Sequence, residues 1–490
     1  MGWVVEMSNQ NTRPSRQLDV HKSSEHPEAN VFVDAVLETY FPDVFAAKGK
    51  KRNSFRADLK VLLLDLYVSW QEDPKQTIGV GMSNSFYKKS SRYNALHISY
   101  KIIQIVHMLR AAKLIGFKEG SEWSGKVSRI WPLKKLIKLF EQAKFGLEDI
   151  EPTPDRECII LRNSQKNDIE YEDNANTHRM RADLRRYNQL LADTFIDIPS
   201  LNTPIIKKQG DGGDVRITQN HKFVRRIFHN GSFEQGGRFY GGWWQNVPKE
   251  YRQKIYINDN PTIEDDFSAL HIMLLYAKQG LEYDWDGDDP YYHPISFIND
   301  YDEARLVGKL FLLTALNAKD KKSGFAAARN TFTDENIRYK GQFDNEFLED
   351  YLDKVKVKHP PLEEYLCSNA GVGLMNVDSQ ITEKIVKAFT TRGIPILCMH
   401  DSFIIQVQHD NELRTQMQKA VGQVSGTNNF KIKRKNIGLG QVTQWMHSDR
   451  EYYLSSIKHL GEGNNNSSNN KRIRTKGYEK RMKTFYSNKL

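Results

Sequence analysis

The sequence predicts an α+β fold, on three observations. Short apolar runs of strand length, such as "PTIEDDF" and "IPILCMHDSFIIQV", stand between residues 215 and 450. Between them lie longer segments whose apolar residues recur every three to four positions, as in "ALHIMLLYAK" and "EARLVGKLFLLTALNA". The N-terminal part reads as mostly helical instead, and no internal repeat is detectable. A chain of 490 residues is long enough for two to four domains and a well-buried core.

Taken in order, residues 1–28 are polar and are expected to be disordered. Residues 29–148 form a helical region. Within it, "NALHISYKIIQIVHMLRAAKLIGF" puts Ile98, Ile102, Ile105, Val106, Leu109 and Ala112 at helical spacing. The following "KLIGFKEGSEWSGKVSRIWPL" holds two short apolar runs around a Gly/Ser loop. Helix followed by hairpin is the order of a winged-helix-like module, a common reader of nucleic acid. Its wing would carry Lys126 and Arg129 towards a duplex, and "YKKSSRY" makes the helix entrance basic; a module used for protein contacts is the alternative. "GLEDIEPTPDRE" marks a boundary near residue 150. Residues 149–214 then read as a linker and an amphipathic, thumb-like helix, with Met180, Leu184, Tyr187, Leu190 and Leu191 on one side. Residues 215–450 concentrate the chemistry. The segment 451–490 reads as a flexible linker, "GEGNNNSSNN", and a basic tail with eight Lys or Arg against one Glu from Lys471 onward.

Charge and composition narrow the class. The formal net charge is +10, and the basic tail, interleaved with Tyr478, Phe485 and Tyr486, suits a polyanion partner. No apolar run reaches the length of a membrane span, the N-terminus lacks the pattern of a signal peptide, and no membrane partner is expected. Cys158, Cys367 and Cys398 are too scattered for a zinc site or a disulfide framework, which fits a cytoplasmic setting.

Two acidic strand positions carry the chemistry. His400-Asp401 interrupts an apolar, β-branched run, and a carboxylate there must be exposed at a turn, paired, or bound to a cation. Alone, the stretch fits a plain hairpin tip. Upstream, "PTIEDDF" ends a strand just before a helix, where a carboxylate is well placed to hold a cation. If the two strands are neighbours, Asp266 and Asp401 would bridge two Mg²⁺ ions roughly 3.5–4 Å apart, the arrangement for in-line phosphoryl transfer. Between them, Arg305 and Lys309 stand four apart on an apolar helix and share a face that suits a triphosphate. Alone, that pair reads as two cations lifting their heads to water at a helix edge.

Together these stretches resemble the polymerase superfamily of family A DNA polymerases and phage-type single-subunit RNA polymerases. "DFSALH" looks like the first carboxylate motif, "RLVGKLFLLTALNA" like the fingers helix, and "MHDSF" like the second carboxylate motif. "GGRFYGGWWQNVPKEYRQKIYI" is similar to the segment before the first. The resemblance covers residues 215–450 and implies a right-hand palm and fingers. It implies Asp266 and Asp401 as ligands of two Mg²⁺ ions (or Mn²⁺), with the Phe267 carbonyl as a third donor. Arg305 and Lys309 would hold the incoming triphosphate, with Lys309 also protonating pyrophosphate. Arg238, Gln245, Asn246 and His400 would lie along the primer and template. Of the three acids in "EDD", Asp266 is favoured because aromatic-Ser follows it.

The pattern also departs. The Glu and Tyr with which DNA polymerases of this superfamily exclude a ribose 2′-OH are replaced by His271 and Asn317, so the sugar preference is open. No carboxylate set for a proofreading exonuclease stands in the N-terminal half. The expectation is a compact DNA polymerase acting on a DNA template, a primer or nascent strand and nucleoside triphosphates, associated with a phage or mobile element. An RNA polymerase or primase is the alternative. A non-catalytic, replication-initiator-like binder is the alternative from another class, and a nuclease would have no use for Arg305 and Lys309.

Overall fold

The computed structural model describes residues 15–121, 127–207, 214–337, 340–437 and 474–487. Helices and sheets mix along the chain, which divides into two compact units. The first is built on the described residues up to Cys158, with Ile205–Asn220 and the chain from Lys480 onward. The second takes Ile159–Pro204 and His221–Glu479.

The first unit is organised on a long helix. Its elements are β1 (Arg16–Gln17), β2 (Lys22–Ser23), α1 (Pro27–Tyr40), α2 (Pro42–Ala46), α3 (Lys50–Glu72), β3 (Ile78–Val80), α4 (Lys101–Ala111), β4 (Ile115–Lys118), β5 (Ser128–Pro132), α5 (Lys134–Glu141) and β6 (Glu151–Pro152). Phe55, Leu59, Leu62, Leu63 and Leu66 of α3 are buried, and α4 packs on it through Ile102, Ile105, Val106 and Leu109. The sheet runs β1-β3-β5-β4. Residues 16–23, expected to be disordered, contribute two short strands. The cause lies on α3, where Asp65 is fully buried and takes the Arg16 guanidinium at 2.7 and 2.8 Å. A carboxylate at that depth requires a cation, and the N-terminal segment supplies it.

In the second unit, β7 (Ile159–Leu161) and α6 (Ala175–Asp193) lead to β8 (Ile196–Asp197). The strands β9 (Ile205–Ile206) and β10 (Val215–Arg216) pair with each other in the first unit. The chain then runs through β11 (Arg225–His229), β12 (Ser232–Tyr240), α7 (Lys249–Arg252), β13 (Tyr256–Ile257), β14 (Asn260–Phe267), α8 (Leu270–Lys278), α9 (Tyr301–Asn317), α10 (Lys321–Asp334), α11 (Asn345–Lys358), α12 (Gly371–Thr390), β15 (Ile396–Met399), β16 (Ser402–Gln406), α13 (Asp410–Ser425) and β17 (Ile432–Ile437). The last helix described is α14 (Lys476–Ser487).

The main sheet has six strands in the order β15-β16-β14-β13-β8, with β17 also paired to β14. Every residue of β15 and β16 is buried, which explains their continuous apolar character. Tyr187 of α6 donates to the Ile396 carbonyl at 2.7 Å, and α13 packs on β14 and β16. Between β13 and β14, Asn258 and Asp259 have φ of 46° and 59°, the backbone of a tight hairpin turn. Part of the tail expected to be flexible is tied to this turn. Arg474 pairs with Asp259, and the buried Tyr478 donates its hydroxyl to the same carboxylate at 2.9 Å.

Candidate functional site

Asp266 lies near the end of β14, and Asp401 immediately precedes β16, the strand hydrogen-bonded beside it. In the β14–β16 ladder Asp266 faces Ser402, and the Phe267 N–H donates to the Asp401 carbonyl at 3.3 Å. Met399 pairs with Ser402, so His400 and Asp401 form a two-residue hairpin tip. His400 sits there in the left-handed region, φ 61°, a backbone that costs a non-glycine residue about 1 kcal/mol or more. The other acids of "EDD" have structural partners. Asp265 is fully buried and held by Arg414 at 3.1 and 3.3 Å and by Arg434 at 3.3 Å. Glu264 accepts from Ser402 Oγ at 3.0 Å. Both Asp266 and Asp401 are half-buried, and the Asp401 carboxylate has no hydrogen-bond or ion-pair partner among the described residues.

Arg305 and Lys309 meet at Tyr291. The Arg305 guanidinium lies 5.5 Å and the Lys309 ammonium 5.9 Å from the centre of the Tyr291 ring. Burial pushes the Tyr291 phenol above its usual range, and the negative charges of Asp401 and Asp266 add to the shift. Both cations therefore meet at one side chain, whose phenol also feels the charge of both acids. Asp289 takes Arg305 Nε at 2.7 Å, and the Tyr291 hydroxyl has no hydrogen-bond partner among the described residues. Gly308 makes the approach possible: a Cβ there would stand 1.9 Å from the Tyr291 carbonyl oxygen. The loop is fastened from behind. Lys358 Nζ donates to the Asp288 carboxylate at 2.6 Å and to the carbonyls of Asp289 and Tyr292 at 2.7 and 2.9 Å. The buried His359 bonds the Pro290 carbonyl at 2.8 Å and the Tyr276 hydroxyl at 3.1 Å.

Arg238 is aimed by a bulge. The β11–β12 register slips at Gly236-Gly237, whose φ values are 73° and 86°, and such a bulge re-aims the side chain that follows. Arg238 Nε then meets the Asp378 carboxylate at 2.8 and 3.2 Å, and Nη2 meets it as well. His271, from the first turn of α8, places Nε2 3.0 Å from the same carboxylate and 3.1 Å from Arg238 Nη2. Burial opposes the Arg238 charge, but Asp378 outweighs it and holds the guanidinium above its usual range. The imidazole of His400 is pushed down by the protein packed around it and by Arg238, although its edge is open to water.

The remaining expected residues are spread out. Gln245 spends its amide on backbone: Nε2 donates to the carbonyls of Phe239 at 2.9 Å and Cys398 at 3.1 Å, and Oε1 accepts from the Gly241 N–H at 3.1 Å. It fastens β15 beside the hairpin. Asn246 is exposed. Asn317, at the end of α9, lies against Gly371 at the start of α12, whereas His271 meets α12 at Asp378. Those two places are roughly 10 Å apart along the helix axis, so His271 and Asn317 do not form one contact. Arg129 lies in β5 of the first unit, opposite Lys118, and Lys126 falls outside the described residues. Tyr291, Asp289 and Asp378 were missed by sequence reading. Only the "DDPYYH" stretch, acidic and aromatic in a loop, signalled the first two.

No cluster of three or more metal-ligating side chains exists among the described residues. A Mg²⁺ site commonly takes one or two protein carboxylates, with water and substrate phosphate completing it. Asp266 and the unpartnered carboxylate of Asp401 fit that donor set.

No protein-family model matches the chain, and no curated protein matches it. Among solved structures, it is similar to the POL domain of Pol1 from M. smegmatis in complex with DNA primer-template and dNTP. The identity is 12% and the TM-score 0.27; the match covers 86% of this chain and 66% of that one. The site therefore rests on its own geometry. No helix among the described residues is long and apolar enough to cross a membrane.

Proposed function

We propose that this chain is a template-directed nucleotidyltransferase that adds nucleotides to a 3′-OH, a compact polymerase of the palm-and-fingers type. The observation that carries the reading is the placement of Arg305 and Lys309 together at the Tyr291 ring, whose phenol feels the charge of Asp266 and Asp401. A non-catalytic binder has no need for unlike charges gathered in this way, and a nuclease has no need for the two cations.

In this reading Asp266 and Asp401 hold divalent cations, with the Phe267 carbonyl as a further donor. Bound Mg²⁺ supplies activation of the attacking hydroxyl and neutralisation of charge on the phosphates. Arg305, anchored through Nε, presents its terminal nitrogens to the triphosphate, and Lys309 adds a point charge and a proton for the departing pyrophosphate. The Tyr291 hydroxyl, which has no hydrogen-bond partner among the described residues, donates to the same phosphates. Arg238 and His400 line the primer terminus, and Gln245 acts indirectly by holding β15. In the first unit, α4 followed by the β4–β5 hairpin serves as the winged-helix-like grip on template, with Arg129 on a strand of the hairpin.

Extension of a labelled primer on a DNA template with Mg²⁺ tests this, with dNTPs in one tube, NTPs in another, and Asp401→Ala as control. Extension with dNTPs alone, lost in the variant, is the expected result. Extension with NTPs alone moves the assignment to an RNA polymerase or primase. Binding of DNA with no extension in either tube overturns the enzyme reading.

A further inference from the structure

The Arg238–Asp378–His271 cluster joins three elements that flank the candidate site. Arg238 comes from β12, Asp378 from α12 and His271 from α8, and α8 begins three residues after the strand that carries Asp266. Asp378 is 1% exposed and lies 140 residues from Arg238 and 107 from His271 in sequence. It is not needed to fill the core, because an apolar side chain would serve there; a carboxylate at that depth is stable only with its cation. One turn further along the same face of α12, Thr382 Oγ1 donates to the His400 carbonyl at 3.1 Å. One stripe of α12 thus holds the Arg238 guanidinium, the start of the helix after Asp266 and the hairpin tip that presents Asp401. Arg238 Nη1 has no partner among the described residues, so a hydrogen-bond donor of the clamped guanidinium is left for a ligand.

We propose that Asp378 is the positioning residue of this site: it clamps Arg238 and His271 in one geometry, so that Arg238 meets the nucleic-acid end whose hydroxyl is extended beside Asp401. The proposal rests on the nucleotidyltransferase reading and adds a residue that touches neither substrate nor metal. Because Arg238 is fixed through both Nε and Nη2, positive charge alone cannot replace it: the planar fork is required. Coupling through one clamp also means that losses at Arg238 and Asp378 do not add.

The experiment compares wild type, Asp378→Asn, Arg238→Gln, Arg238→Lys and the Asp378→Asn/Arg238→Gln double variant as full chains, after melting curves have established folding. Primer–template affinity and nucleotide KM are read separately. The expected result is a loss of primer–template affinity of roughly tenfold in each single variant with nucleotide KM unchanged, and a double variant no worse than the weaker single. A purely structural carboxylate would weaken primer–template affinity and raise nucleotide KM together, or change neither. If Asp378→Asn does not fold, Arg238→Lys decides: impairment equal to Arg238→Gln sustains the clamp, and wild-type affinity overturns it. Additive losses, or a folded Asp378→Asn that extends primers like wild type, overturn it as well. Absence of extension by wild type is a different failure: it removes the polymerase reading and the positioning role with it.

Discussion

At the Arg238 corner of the second unit, a carboxylate, a guanidinium and an imidazole are bonded to one another, and the carboxylate is closed off from water. At the Arg305 corner the same kinds of group are left half-committed. Arg305 is tied through one nitrogen only, and Lys309 has no ion-pair partner among the described residues. The Tyr291 hydroxyl and the Asp401 carboxylate have no hydrogen-bond partners there either. Satisfied polar networks rigidify what they touch, and under-satisfied ones retain free energy for a ligand. In the proposed reading the two corners divide the work: one aims Arg238 at the primer end, and the other takes the triphosphate.

The largest effect that would break this contrast is at Asp401. Asp401→Asn is expected to reduce extension on the order of 10³-fold or more, while melting in EDTA stays at or above the wild-type value because no described partner depends on that carboxylate. A variant that melts clearly lower, or one that still extends, would place Asp401 among the structural groups. Next come Arg305→Ala and Lys309→Ala, each expected to raise nucleotide KM by about 10–100-fold, the worth of a charge-assisted hydrogen bond, with primer affinity untouched. An unchanged KM would leave the pair as solvated surface cations. Tyr291→Phe removes one neutral donor and should raise KM only about 2–10-fold; steady-state titration of nucleotide reads it.

A further effect falls on stability rather than on nucleotide binding and concerns the backing of the Tyr291 loop. Burial pushes His359 down to about 4 and His293 to about 3, and the Tyr276 hydroxyl facing His359 Nδ1 suits the neutral ring. The unfolded chain therefore takes up these protons first, below its ordinary value of about 6.5. Stability is fully present above that pH and falls as the pH drops through the window towards 4, by roughly 2 kcal/mol per histidine at pH 5. Melting curves at pH 7 and pH 5 should show the loss, and His359→Gln should flatten the dependence. A slope identical to wild type would place the acid sensitivity elsewhere.

What sequence could show follows from range. The "RLVGK" stripe and the "MHDSF" hairpin are set by neighbours within a few positions, so period and turn chemistry expose them. Asp378 lies on an amphipathic helix like any other polar residue, and its meaning depends on Arg238, 140 residues away. Gln245 looks identical in sequence whether its amide meets nucleic acid or the Cys398 carbonyl. The strands at residues 16–23 are two residues each, too short for any periodicity, and they are ordered because of a buried Asp65 elsewhere. Tyr478 likewise owes its burial to a turn at Asp259, not to the polar tail around it.

Gly308 has a consequence for what the chain tolerates. With the Tyr291 carbonyl 1.9 Å from where a methyl would begin, the helix has room for a hydrogen atom and nothing larger. In a saturation library selected for growth or display, position 308 would return one letter, whereas the chemically richer neighbours on either side would still sample several. The most restrictive position of "RLVGK" is then the residue that brings no functional group at all.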